Sequence, residues 1–153
     1  MPSVGRVIGL DLGSVRIGVA STDAGRVLAS PLVVLPRTRD LPADRRAIAR
    51  LVQDEEAVLV VVGMPWSLDG SAGPAAKAAQ AEVTALAEAL PVPVTTYDER
   101  FTTVTAEHLL DEQGVRGPAR RKVIDMVAAA VMLQAWLDGP GRAGDDDTPQ
   151  EQT

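Results

Sequence analysis

The sequence predicts an α/β domain in which a mixed five-stranded sheet is flanked by helices. Three short apolar segments with tight connections open the chain, and two later apolar segments alternate with amphipathic helical patterns. This β-β-β-α-β-α-β-α order requires an antiparallel meander that leads into parallel strands through right-handed crossovers. At 153 residues the chain is long enough for one domain with a substantial core.

The opening meander is predicted from three strand-like segments and one hairpin turn. The strands are assigned to residues 6–12, 16–21 and 27–35. Asp23-Ala24-Gly25 provides the glycine of a short hairpin loop, so the second and third strands should be antiparallel. The spacing of Ile48, Leu51 and Val52 then predicts a helix with one buried face.

The second half of the domain alternates strand and helix. Residues 57–62 are apolar and mostly β-branched, which is typical of a strand buried on both faces, so this strand is predicted at the centre of the sheet. The later elements are a helix over 73–90, a strand over 91–97, and helices over 103–113 and 120–138. We assign residues 1–138 to the domain. Residues 139–153 are rich in glycine, proline and acidic residues without aromatics, which predicts a disordered tail.

Composition excludes several classes of chemistry. The chain has no cysteine, which excludes disulfides, zinc–thiolate sites and thiol nucleophiles, and its single histidine, His108, lies in a polar helical pattern. No signal peptide or membrane span is recognisable, so a cytoplasmic protein is expected. The net charge is −6, but residues 138–153 contribute −4 of it with five acidic residues and one arginine. The nearly neutral remainder is compatible with a nucleic-acid partner.

Three carboxylates, Asp11, Glu99 and Asp125, each lie in or at the end of an apolar segment. A carboxylate in such a setting is costly unless a cation or a hydrogen-bond donor compensates its charge. Asp11 and Glu99 lie at the carboxyl ends of strands of the predicted parallel set, and these ends share one edge of the sheet. The pattern indicates a Mg²⁺ or Mn²⁺ site of the kind that cuts phosphodiester bonds. The alternative is that each carboxylate pairs with a nearby arginine or caps a helix.

The substitution Asp125→Asn would distinguish a metal ligand from an ion-pair partner at this position. A metal ligand predicts unchanged or higher stability for Asp125→Asn without metal, whereas an ion pair with Arg121 or another cation predicts lower stability.

Two further acids are accessory candidates. Asp98 is adjacent to Glu99, and because neighbours on a strand point to opposite faces, only one of the two should face a metal. Asp69 lies in the glycine-rich loop of residues 63–74, which is also readable as a plain strand-to-helix connection. The turn after Asp11 is also typical of actin- and hexokinase-like ATPases. That function requires a second lobe and a second phosphate hairpin, which this length does not provide.

Basic residues cluster just before Asp125. The candidate phosphate contacts are Arg16, Arg100, Arg116, Arg120, Arg121 and Lys122. Cations at a helix N-terminus oppose the helix dipole, so an external anion would explain them better than a solvated helix start. Because the chain has only four aromatic residues, recognition should depend on the nucleic-acid backbone and not on base stacking.

The sequence resembles the YqgF family of RNase H-like proteins, also described as Holliday-junction-resolvase-like and as pre-16S rRNA nucleases. The resemblance covers roughly residues 6–138, and four motifs carry it: GLDLGSVRIGVA at 9–20, VVGMP at 61–65 with Asp69-Gly70, DERFTT at 98–103, and Lys122 with Asp125, Ala128, Ala129 and Gln134. Phe101 and Thr102 replace residues that are more often Leu and Ser in that family.

The resemblance implies an RNase H-type sheet and a Mg²⁺- or Mn²⁺-dependent endonuclease, with Asp11, Glu99 and Asp125 at the positions usually assigned as catalytic. Two substrates are attached to such proteins, namely the 5′ end of the 16S rRNA precursor and four-way DNA junctions. The first is our leading expectation. A non-catalytic nucleic-acid-binding factor on the same fold is the competing hypothesis, and the protein is expected as a monomer or homodimer.

Overall fold

The computed structural model describes residues 5–65, 73–98 and 119–141, and within them the chain forms five strands and three helices. The elements are β1 (Arg6–Leu12), β2 (Arg16–Thr22), β3 (Ala29–Pro36), α1 (Leu41–Asp54), β4 (Ala57–Met64), α2 (Pro74–Ala89), β5 (Val94–Asp98) and α3 (Ala119–Asp138). The helix predicted over 103–113 and the tail beyond residue 141 lie outside the described residues. No helix in the described ranges combines the length and the apolarity needed to cross a membrane.

The strands form one mixed sheet in the order β3-β2-β1-β4-β5. β2 pairs antiparallel with β1 and β3, whereas β4 pairs parallel with β1 and β5. The predicted mixed five-stranded sheet is confirmed. The prediction that the strand at 57–62 is central is wrong, because β1 holds that position and β4 is second from the edge. The apolar run of β4 reflects helices on both faces, and its residues are buried from Leu59 to Met64.

Alternation along the strands divides the core into two layers. On what we call the α1–α2 face, Ile8, Leu10, Ile17 and Val19 pack with residues of α1 and α2 such as Leu86. On the α3 face, the buried cluster comprises Val7, Ala20, Leu59, Val61, Ala129, Ala130, Met132, Leu133, Trp136 and Leu137. Because Val7 belongs to the α3 face, strand alternation places Gly9 and Asp11 on that face as well.

Glycines allow α3 to lie close to β1 and β2. A Cβ atom at Gly9 would lie 3.0 Å from the Cβ of Leu133, and one at Gly18 would overlap the carbonyl oxygen of Asp125. The helix therefore rests directly on the strand backbone at these two positions. This contact fixes where the residues of α3 lie relative to the end of β1.

The β2–β3 hairpin is organised by one carboxylate. Asp23 accepts backbone N–H bonds from Gly25 (3.1 Å), Val27 (2.9 Å) and Leu28 (2.9 Å). These bonds, that from Leu28 foremost, lower the pKa of the Asp23 carboxyl. β3 begins at Ala29 and not at residue 27 as predicted, because the preceding two N–H groups are engaged by Asp23.

β3 is an edge strand and carries a proline at two paired positions. Pro31 pairs with Ala20 and Pro36 pairs with Arg16 in the register of the sheet. From Pro36 the chain passes to Asp40, which caps α1 by accepting a hydrogen bond from the N–H of Ala43 at 3.1 Å. The start of α1 therefore lies near the same end of the sheet as the end of β1.

Candidate active site

Asp11 lies near the carboxyl end of β1, and its partner across the antiparallel pair is Gly18 of β2. Residues that oppose each other in such a pair have Cα atoms about 4.5–5.5 Å apart and direct their side chains to the same face. Asp11 is half-buried, and its side chain therefore stands on the α3 face, beside the place where Gly18 has no side chain.

Asp125 of α3 lies over the same glycine. A Cβ atom built on Gly18 would be 3.2 Å from the Cβ of Asp125. Since Gly18 is also the partner of Asp11, the structure brings these two carboxylates together from elements at opposite ends of the domain sequence. The glycine is what permits this, because any side chain at position 18 would occupy the space between the helix and the strand.

Arg16 lies two residues before Gly18 on the same face of β2 and pairs with Asp125. Its Nε donates a hydrogen bond to Oδ2 of Asp125 at 2.6 Å, and the side chains are 25% and 23% exposed. In the sequence analysis, the alternative to a metal at Asp125 is an ion pair with Arg121 or another cation. In the structure the partner of Asp125 is Arg16, a residue predicted from the sequence to contact phosphates.

The turn after Asp11 is held by Arg37, a residue that the sequence analysis did not identify. Its Nε donates to the carbonyl oxygen of Gly13 at 2.9 Å, and its N–H donates to that of Val15 at 2.8 Å. Buried Glu82 of α2 lies 4.0 Å from Arg37 and 3.3 Å from Arg45. A signal for this network exists in the sequence, since Glu82 interrupts the apolar stripe of α2 between Ala79 and Leu86.

The end of β5 separates the two adjacent acids predicted there. Asp98 pairs with Met64 of the parallel neighbour β4, and alternation from Val60 and Val62 places this pair on the α1–α2 face. Tyr97 packs on the α3 face. Asp98 thus lies on the face opposite Asp11. Glu99 lies outside the described residues.

The remaining predicted site residues are divided between the start of α3 and the undescribed segments. Arg121 and Lys122 are exposed and precede Asp125 by four and three residues, which puts them on its side of the helix. Arg120 is half-buried. Asp69, Arg100 and Arg116 lie outside the described residues. Within 5–65, 73–98 and 119–141, no three histidine, cysteine or acidic residues cluster as a metal site would require.

The sheet edge that holds Asp11 is concave. A depression of about 330 Å³ lies at the ends of β1 and β4, next to Asp11, and is bounded on one side by Ala75, Ala78 and Ala79 of α2. The carboxyl ends of β1 and β4 thus lie at one open edge of the sheet.

Comparisons with known proteins identify the family of the chain. The family model RuvX, described as Holliday junction resolvase, matches residues 5–139. A protein of Rhodococcus opacus strain B4 named "Putative pre-16S rRNA nuclease" is 47% identical over 146 residues, which cover 93% of this chain and 82% of the relative. A protein of Mycobacterium sp. strain KMS with the same name is 46% identical over 151 residues, covering 94% and 89% respectively.

The fold itself resembles that of a solved structure. The structure of Thermus thermophilus RuvC in complex with Holliday junction substrate superposes with a TM-score of 0.55 at 16% identity, covering 90% of this chain and 96% of that one. At this level of identity the likeness concerns the fold alone. It confirms the predicted RNase H-like fold.

Proposed function

Because the chain belongs to the RuvX family of Holliday junction resolvases, we propose that it is an endonuclease that hydrolyses phosphodiester bonds in structured nucleic acid with Mg²⁺ or Mn²⁺. The observation that carries this proposal is the meeting of Asp11 and Asp125 across Gly18 at the open edge of the sheet. The names of the relatives favour the 16S rRNA precursor as the substrate, and its 5′ end is the position expected from the sequence. The family description favours a four-way DNA junction as the second candidate.

The residues present fit a divalent cation. Mg²⁺ and Mn²⁺ prefer carboxylate oxygens, and Asp11 and Asp125 supply two carboxylates on one face of the sheet. We propose Glu99 as the third ligand, in place of its neighbour Asp98, because Asp98 lies on the face opposite Asp11. When bound, such ions activate a water molecule and stabilise the charge on the phosphate and the leaving oxygen.

The side chains of the protein have distinct tasks in this proposal. Arg16 orients Asp125 through its 2.6 Å hydrogen bond and offsets the mutual repulsion of neighbouring carboxylates. Arg121 and Lys122, exposed on the preceding turn of α3, hold the flanking backbone phosphates. Arg37 fixes the turn that follows Asp11. In this proposal Arg16 acts on a carboxylate of the site through its Nε, in addition to the phosphate contact expected from the sequence.

The test is a side-by-side cleavage assay on a precursor 16S rRNA 5′ leader and a four-way DNA junction, with Mg²⁺, with Mn²⁺ and with neither. Asp11→Asn, Glu99→Gln and Asp125→Asn should each reduce cleavage by at least about a hundredfold. Asp98→Asn, the matched control on the other face of the sheet, should leave cleavage within about twofold of wild type.

Three results would contradict the proposal in different ways. Binding without cleavage under all ion conditions would favour the non-catalytic factor. Full cleavage by Asp11→Asn would show that the Asp11 carboxylate is not needed for the reaction. Equal losses of cleavage in Asp98→Asn and Glu99→Gln would refute the choice of Glu99 over Asp98 as the third ligand.

A further inference from the structure

Three arginines on and before α1 have no ion-pair or hydrogen-bond partner among the described residues. Arg46 and Arg50 are exposed and lie one turn apart on the helix, and Arg39 is exposed just before the cap residue. None of the three forms an ion pair or hydrogen bond with any residue in the described ranges, whereas Arg37 and Arg45 both contact Glu82. Like charges four residues apart weaken a helix slightly, so helix stability does not account for them. We call these three residues the α1 arginine stripe.

Two members of the stripe line a groove between α1 and the edge strand β3. The groove has a volume of about 480 Å³, and its lining residues are Leu35, Ala43, Arg46, Ala47, Arg50, Leu51 and Asp54. Asp54, at the far end of α1, is the acidic member. The alanines make the groove accessible to a bulky ligand, and the two guanidinium groups make it positive for most of its length.

The stripe begins next to the candidate active site. β3 ends at Pro36, whose partner in the sheet is Arg16, and Arg16 contacts Asp125. The chain then passes Arg39 and enters α1, whose 14 residues extend over about 21 Å. The α1 arginine stripe therefore begins at Arg39, near the open edge of the sheet, and continues along α1 on the α1–α2 face.

We propose that the α1 arginine stripe binds the sugar-phosphate backbone of the substrate beyond the position of cleavage, an inference that rests on the proposed nuclease function. Guanidinium groups suit phosphate because their planar donors match two of its oxygens. An acidic protein is the competing partner. It is disfavoured because none of the residues lining the groove is aromatic, and protein interfaces are usually anchored by such side chains.

The test measures binding and not cleavage. The full chain, without divalent ions, is titrated with a mixed-sequence RNA strand and with a DNA duplex at several salt concentrations. For Arg46→Gln/Arg50→Gln, the slope of log K against log salt should fall by about 1.4 for the single strand and about 1.8 for the duplex. Arg46→Lys/Arg50→Lys should retain the slope, because it retains both charges.

Lys77→Gln is the matched control, since it removes an exposed charge from α2 on the same face of the sheet but outside the groove. Its slope should equal that of wild type. An unchanged slope in Arg46→Gln/Arg50→Gln would overturn the proposal, as would an equal decrease in Lys77→Gln. If Arg46→Gln/Arg50→Gln lost binding to polyglutamate but kept the nucleic-acid slope, the partner of the stripe would be an acidic protein and not the substrate backbone. A wild type that binds with the expected slopes but never cleaves would refute the nuclease function alone.

Discussion

The two faces of the sheet are covered in different ways. On the α1–α2 face, large aliphatic side chains such as Ile8, Leu10 and Leu86 fill the space between strand and helix. On the α3 face, Gly9 and Gly18 have no side chains, so the helix packs directly against the strand backbone there. The first arrangement gains stability from buried apolar area, whereas the second brings a helical carboxylate beside a strand carboxylate. Gly9 and Gly18 thus serve the site, whereas the large buried residues of both faces serve the fold.

The largest effect should follow from closing the space at Gly18. Gly18→Ala places a methyl group against the carbonyl oxygen of Asp125, which forces α3 away from β2. We expect a loss of about 3 kcal/mol in the free energy of unfolding, together with loss of cleavage by the molecules that remain folded. Urea denaturation and a cleavage assay under folding conditions measure the two quantities.

Leu10→Ala is the counterpart on the other face. It should cost a similar 3 kcal/mol or so by leaving a cavity, yet the folded fraction should cleave normally. Gly139→Ala is the control for glycine replacement itself, because its new Cβ would lie 3.4 Å from its nearest neighbour, an ordinary contact. If Gly18→Ala behaved like Leu10→Ala, the distinction between the faces would fail.

A smaller effect on stability is expected at the Arg16–Asp125 pair. From the sequence, a metal ligand at position 125 predicts unchanged or higher stability for Asp125→Asn, but the 2.6 Å contact with Arg16 changes that expectation. We expect a loss of about 0.5 kcal/mol, because the pair is about a quarter exposed and the amide oxygen still accepts from Arg16. Cleavage should nevertheless be abolished.

Thermal melting of Asp125→Asn, Arg16→Gln and the double variant measures the coupling between the two side chains. Strictly additive losses would show that the contact contributes nothing. Retained cleavage by Asp125→Asn would reduce the residue to a structural partner of Arg16.

The smallest effect concerns Asp23, in the β2–β3 hairpin away from the site. Because hydrogen bonding lowers the pKa of its carboxyl in the folded state, its contribution to stability is present above the unfolded pKa of about 3.9 and is lost as the pH falls through the folded value. The stability difference between wild type and Asp23→Asn should therefore be constant near neutrality and shrink below about pH 4. Chemical denaturation across this range measures it, and cleavage at neutral pH should not change.

Asp54→Asn is the comparison, because it removes an exposed carboxylate outside the hairpin. A pH dependence for Asp54→Asn that matches that of Asp23→Asn would show that general charge, and not the hairpin bonds, is responsible.

Local patterns in the sequence predicted most of the fold. β1 was predicted with its observed bounds. The prediction from the turn Asp23-Ala24-Gly25 that β2 and β3 are antiparallel is also confirmed. The central position of β1 was missed, because a buried apolar run indicates that helices cover both faces of a strand but does not give the place of that strand in the sheet order. Such an order depends on contacts between distant segments.

The candidate site was predicted only in part for the same reason. Asp11 and Asp125 were recognisable as carboxylates in apolar settings, and the structure places them together. The pairing of Arg16 with Asp125 depends on how α3 crosses β2, and the contact of Arg37 with Gly13 depends on the path of the chain between β3 and α1. No local spacing encodes either contact. Glu99 stays a prediction.

The prolines of β3 have a consequence for self-association. An exposed edge strand can recruit a strand from another molecule through its free N–H groups, but Pro31 and Pro36 have none to donate. Two copies of this sheet are therefore poorly suited to join through β3 into a continuous sheet. A homodimer would form through another surface, which keeps the side of the molecule along β3 and α1 open to a long, charged polymer.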